Sequence, residues 1–165
     1  MINMSYISRK IMVLLGWLII CQISILSVCN WSFGQTPDCQ KPQYVSITIG
    51  SKTIKATLAN TGALRVEGLL GWSSIDDETG MLLDFMTEGI YAIHMQGMKF
   101  AIDAIWIDST DTVRLIYENI MPNSGVTYPS MFPARYCLEV AAGFCKRRNV
   151  RSGQKMKITP WKAPQ

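Results

Sequence analysis

Two short runs, residues 102–108 (IDAIWID) and 112–118 (TVRLIYE), stand on either side of Ser109-Thr110 and constrain the fold more than any other part of the chain. Both are rich in β-branched and aromatic residues and too short for ordinary helices, so the pair predicts a hairpin. Side chains alternate across a strand, which puts Ile102, Ala104 and Trp106 on one face and Asp103, Ile105 and Ile107 on the other. Asp103 therefore points to an otherwise apolar side and needs hydrogen-bond partners if that side is buried.

The same alternation recurs along the chain. Residues 44–50 and 53–58 form a second expected hairpin around Gly50-Ser51. Asn60 or Thr61 is placed to cap a short helix through about Leu70 that buries Leu64, Leu69 and Leu70. Residues 73–78 read as a polar loop, and 80–85 and 89–95 as extended, mostly apolar segments. Residues 119–133 make a loop of Pro, Ser and Met, long enough to serve as a lid or rim. A strand over 135–140, a short helix over 141–149 and a last strand over 155–159 complete the pattern. The expected fold is mostly β (α+β): a compact antiparallel barrel- or sandwich-like sheet with two short helices.

An N-terminal signal or anchor helix is expected ahead of it. Arg9 and Lys10 precede a run without charge from Ile11 to Cys29. A basic lead followed by such a run marks export, with the positive end left in the cytoplasm. The run is long for a signal core and close to the ~20 residues that span a bilayer, so cleavage near Ser32-Phe33-Gly34 and retention as an anchor both stay open. Val28 stands where a lipoprotein signal wants a small residue before its cysteine. The organisation is residues 1–34 as signal or anchor, 35–42 as linker and 43–160 as a single domain. The expected location is extracytoplasmic, periplasmic or cell-envelope, with membrane contact through residues 11–29 if they are kept.

Charge is segregated within the domain. All 12 acidic residues lie between Asp38 and Glu139, while Lys146, Arg147, Arg148, Arg151, Lys155, Lys157 and Lys162 follow without an acid among them. No aromatic stacking pattern interleaves these cations, so no nucleic-acid partner is expected. The basic block reads as a solvated face attracted to the envelope or to the domain's own acids. Cys39, Cys137 and Cys145 have no C-x-x-C spacing. Zinc is not expected, and in an oxidising compartment one disulfide is open, Cys137 with Cys145 or Cys39 with Cys145.

With these elements placed, the order of motifs resembles the bacterial and archaeal domain of unknown function 192 family. The residues that carry the resemblance are Arg65-Val66-Glu67-Gly68-Leu69-Leu70, Gly80-Met81-Leu82-Leu83 and His94-Met95-Gln96-Gly97-Met98. They continue with Ile102-Asp103-Ala104-Ile105-Trp106-Ile107-Asp108, Tyr136-Cys137-Leu138-Glu139, Ala142-Gly143 and Gly153-Gln154. The resemblance implies a largely β domain, often exported, and imports no reaction. Where the family pattern has Trp-Met-Lys-Asn, this chain has His94-Met95-Gln96-Gly97, and Gln154 replaces a closing Asp. Asp103, Asp108 and Glu139 keep the pattern, so a ligand common to the family is not assumed.

The chemistry that these residues could perform is limited. A triad of His94, Cys137 and Asp103 lacks a nucleophile-elbow pattern. Asp103 with Glu139 could act as paired acid and base in a carboxylate-dependent hydrolase, His94 assisting. One histidine with scattered acids gives no metal motif, and Asp108 and Asp111 fit hairpin turn chemistry. Met95 and Met98 have a single Met-x-x-Met spacing, for which packing is the simpler role than copper. No metal or cofactor is expected. The expectation is a non-enzymatic ligand-binding or accessory module for a small polar ligand or an envelope component, with the hydrolase as the alternative. Its cleft would gather Arg65, His94, Met95, Gln96, Asp103 and Glu139.

Overall fold

The computed structural model describes residues 41–163. The expected signal or anchor, nearly all of the linker and Cys39 lie outside the described residues. The described elements are β1 (Tyr44–Ile49), β2 (Lys52–Ala59), α1 (Gly62–Glu67), β3 (Thr79–Gly89), β4 (Ala92–His94), β5 (Ile102–Ile107), β6 (Val113–Ile120), β7 (Thr127–Pro129), β8 (Ala134–Ala141), α2 (Phe144–Arg148) and β9 (Lys157–Pro160). No helix among them is long and apolar enough to cross a membrane.

Seven strands form one sheet in the order β6-β5-β8-β3-β2-β1-β9, and β4 pairs with β7 in a separate ribbon. The mostly β class with two short helices is what forms. The sheet is mixed, however, because β2 and β3 run parallel, with Ala56 opposite Gly80 and Leu58 opposite Leu82. Parallel neighbours cannot be joined by a tight turn, and the segment that carries α1 supplies the crossover. The ladder is not a closed barrel: β6 and β9 remain its edges. The chain before each edge meets through the Thr112–Lys155 bridge and a bond from Val113 N to Gln154 O of 2.9 Å.

Alternation sorts the core onto two faces of the sheet. One face carries Ile47, Ile54, Leu82, Ile105, Leu138 and Val140 against Phe144 and Cys145 of α2. The other carries Met81, Leu83, Ala104, Trp106 and Cys137 beneath Leu69, Ile93, Met95 and Met98. β5 is buried at every position, as expected of a strand covered on both sides. Each such Leu or Ile contributes about 1.5–3 kcal/mol by leaving water, so neither face is dispensable.

Three expectations change. Of the leucines expected to be buried, Leu69 is, Leu64 is only half-buried and Leu70 is 36% exposed. The 119–133 segment carries β7 and is bonded to the 95–98 turn, with Asn123 N donating to Met95 O at 2.9 Å and Gly97 N to Asn123 Oδ1 at 2.8 Å. Cys137 and Cys145 are free thiols buried on opposite faces, so the pairing between them is not made.

Candidate functional site

The second face of the sheet is incompletely covered. α1 begins at Thr61, whose hydroxyl accepts the N–H of Leu64 at 3.2 Å, and ends after one and a half turns at Gly68, whose φ of +48° lets the chain turn away. Such a short helix shields only part of the sheet. Between it and β4 lies a cleft of about 470 Å³, walled by Leu69, Leu70, Leu83, Phe85, Tyr91, Ile93, Met95 and Met98. Arg65, Glu67, His94 and Glu139 are its charged or titratable lining groups besides Tyr91.

Glu139 is the buried polar group of the cleft. It lies on β8 opposite Met81 of β3 and Ala104 of β5, neither of which offers a side-chain donor. The residue is 7% exposed, and among the described residues no donor reaches its carboxyl. Burial alone pushes its pKa up to about 7, because the charged form has lost water without gaining a partner. Arg65 does not supply one. Its Nη1 donates to the backbone oxygen of Asp84 at 2.7 Å, and its guanidinium lies 5.3 Å from the centroid of Phe85. Phe85 is in turn stacked on Tyr91 at 3.9 Å.

His94 and Met95 also line the cleft, His94 exposed at the rim and Met95 buried in the wall. Gln96 does not: it is exposed on the outer side of the turn that begins at Met95. Gly97 has φ +80°, a conformation that favours glycine, and Met98 N donates to Met95 O at 3.2 Å. Gly97 is thus explained by the turn itself, while nothing in the structure explains Gln96.

Asp103 is on the opposite face, correcting the expectation that it shares a cleft with Glu139. It is wholly buried, and its two oxygens accept from backbone N–H groups of Asn119 (2.8 Å), Gly143 (3.0 Å) and Cys145 (2.9 Å). Two of these amides open α2, which has no side-chain cap of its own at Gly143. Asp103 is the cap, supplied from another strand. Asn119, the third donor residue, has φ +51° within β6 at the register shift between its Tyr117 and Ile120 pairings with β5. The carboxylate therefore holds both this irregularity and the start of α2.

This separation removes both enzyme constellations. Asp103 and Glu139 cannot serve one substrate as acid and base from opposite sides of a sheet. The triad fails likewise. Cys137 is fully buried on the second face, and burial, followed by the nearby Glu139, pushes its thiol far up, away from the thiolate. Among the described residues no three His, Cys, Asp or Glu side chains gather as a metal site requires, and Met95 and Met98 pack in the core of the second face. Asp108 does what a turn aspartate does. Its Oδ1 accepts from Thr110 N at 2.9 Å and Thr112 N at 3.0 Å, and Oδ2 pairs with Arg114.

The cleft walls were not singled out by sequence. Leu83, Phe85 and Tyr91 look like any core residues, and only the step from buried Leu83 to half-buried Phe85 along β3 betrays an uncovered edge. Trp106 Nε1, a buried polar atom without a partner among the described residues, lies on the same face but does not line the cleft.

No curated protein matches this chain. Two solved structures are similar to it. One, from Sinorhizobium meliloti 1021 and described provisionally as a transcription regulator, is 28% identical, with a TM-score of 0.66 over 72% of this chain and 94% of that one. The other, a protein of unknown function from Novosphingobium aromaticivorans DSM 12444, is 24% identical, with a TM-score of 0.63 over 69% and 83%, and shows the fold alone. The model of the family DUF192 (Uncharacterized ACR, COG1430) matches residues 45–158, which takes in β2 to β8, most of β1, the first half of β9 and the cleft, and the chain belongs to that family.

Proposed function

We propose that this chain is an exported, envelope-associated binding module that holds a small ligand in the cleft between α1 and β4, without chemical turnover. The observation that carries the reading is Glu139, buried at an open cleft with no donor among the described residues. A buried carboxyl without partners costs about 1–3 kcal/mol or more, a cost that a bound donor would offset. The size of the cleft, about 470 Å³, suits a small molecule, and its apolar walls with few polar groups are usual for such sites. The reading as a binder rests on Glu139 being the one buried carboxyl that lines the cleft among the described residues, with Glu67 and His94 exposed at its rim. Export rests on Arg9, Lys10 and the uncharged run that follows.

The test is a thermal-shift screen of the full-length chain against sugars, peptidoglycan fragments, nucleotides, amines and metals. A ligand of the native state raises stability with the logarithm of its concentration. Val66 lines the cleft and is 78% exposed, so Val66→Trp should narrow the mouth without disturbing the core. A ligand whose effect is lost in Val66→Trp supports the reading. A ligand that stabilises both proteins equally binds elsewhere, and silence across the whole screen counts against the module.

A further inference from the structure

We infer that the cleft takes a small organic ammonium with an apolar body, its nitrogen against Glu139 and its hydrocarbon along Leu69, Leu83, Ile93 and Met98. This rests on the reading of the cleft as a binding site and names the chemical class of what it binds. The first ground is the floor. Glu139 presents only acceptors when ionised, and the residues opposite it, Met81 and Ala104, can answer none of them. A neutral hydrocarbon would leave that group as it is, and an anion would oppose it. An ammonium supplies both the charge and the donors.

The second ground is the balance of charge around the opening. With Glu139 ionised, the cleft holds two carboxylates, Glu67 and Glu139, against the one guanidinium of Arg65. Arg65 is also partly spent, since Nη1 is bonded to Asp84 O and the group lies over Phe85. The third ground is the wall itself. Phe85 is stacked on Tyr91 and carries the Arg65 guanidinium 5.3 Å from its centroid, so the cation of the wall is already placed on a ring rather than on Glu139. Apolar side chains make up the remaining walls, so a strongly hydrated, many-hydroxyl ligand would lose more water than it regains in contacts.

Binding of this kind depends on pH. Glu139 must lose its proton, and burial holds its pKa at about 7, so affinity rises from acid pH towards pH 8. The groups that face it are Arg65 and Glu67 from α1, His94 from β4, Tyr91 before that strand, and Cys137 from β8 itself; Met81 of β3 and Ala104 of β5 carry no titratable group. His94 also lines the cleft, so it needs its own control.

The experiment compares three near-isosteric probes on the full-length chain by calorimetry: 2-phenylethylamine, 2-phenylethanol and 3-phenylpropionate. The amine is expected to bind best at pH 8 and at least tenfold more weakly at pH 5.5. Glu139→Gln should lose both the preference for the amine and its tenfold pH dependence, while His94→Ala should keep the wild-type pH profile. Circular dichroism of Glu139→Gln establishes that it is folded, and the wild-type pH series stands as an independent measurement. Tighter binding of the alcohol or the carboxylate, or an amine affinity unchanged by pH and by Glu139→Gln, overturns the ammonium assignment and leaves the cleft as a binding site. If none of the probes binds, the assignment also fails, and the cleft then stands or falls on the broad screen with Val66→Trp.

Discussion

Asp103 and Glu139 sit one rung apart on neighbouring strands, since Asp103 is opposite Val140 and Ala104 opposite Glu139. Both are buried carboxyl groups in a largely apolar sheet. Yet one has three backbone amides and the other has no donor among the described residues. Across an antiparallel pair, directly opposed residues share a face, so a single rung sends the two acids to opposite sides. Asp103 meets the register shift in β6 and the start of α2, where N–H groups free of the ladder are available. Glu139 meets a cleft. The difference shows that a buried acid becomes a structural part or a site candidate according to what its face of the sheet leaves unsatisfied.

The largest effect should come from breaking the satisfied acid. Asp103→Ala removes the acceptors for three amides, each costing about 1–3 kcal/mol when left buried and unpaired, so a loss of about 3–5 kcal/mol is expected. Urea unfolding measures it. If the variant is too unstable to titrate, Asp103→Asn keeps one oxygen, the one that serves Asn119 and Gly143, and should lose less. A loss below about 1 kcal/mol in Asp103→Ala would show that the carboxylate does not hold α2 and the register shift at Asn119.

The unsatisfied acid should behave in the opposite way. Its folded pKa is raised from 4.5 to about 7, so between those values the native state binds more protons than the unfolded chain. Stability is therefore full below pH 4.5 as far as this group is concerned, and falls as pH rises towards 7. The full shift corresponds to on the order of 3 kcal/mol. Glu139→Gln cannot ionise, but its amide also lacks partners, which offsets about 1–2 kcal/mol. The expected result is a gain of about 1–2 kcal/mol at pH 8 and a flatter stability profile from pH 5 to 8. A variant less stable than wild type at pH 8 would mean that the carboxylate has a stabilising partner after all.

How much of this could be read beforehand follows from the same geometry. Within β5 the sequence alone puts Asp103 with Ile105 and Ile107, because parity along one strand is local. It does not tell which face of β8 shares that side, since that depends on the register of Ala104 against Glu139. The hairpins 44–58 and 102–118 were legible because tight turns fix their pairing, and Thr61 was legible as a cap. The parallel pairing of β2 with β3 was not, because the sequence between them only says that a helix intervenes. β7 is three residues long, too short for alternation to register, and its pairing with β4 is what carries residues 119–133 onto the 95–98 turn. Arg65, His94, Met95 and Glu139 do line one cleft, while Gln96, chosen for its departure from the family pattern, is exposed outside it.

A third acid separates partnering from burial. Asp77 is well paired but near the surface: Arg147 donates to it at 3.0 and 2.5 Å and Arg148 at 3.2 Å, with the Asp77 side chain 26% exposed. The hydrogen bond from Arg147 leads the causes that hold its pKa below the ordinary 3.8. A depressed folded pKa contributes stability above 3.8 that is lost as pH falls through the folded value, opposite in sign to Glu139. Water and salt screen such a pair, so Asp77→Asn should cost only about 0.5–1 kcal/mol at pH 7, and less in high salt. That outcome would place it far below Asp103→Ala despite a similar number of bonds. It would also show that the basic end of the chain is in part answered by the domain's own acids, since Arg147 and Arg148 both end on Asp77. A cost as large as that of Asp103→Ala would instead mean that partners alone, and not partners combined with burial, set what these acids contribute.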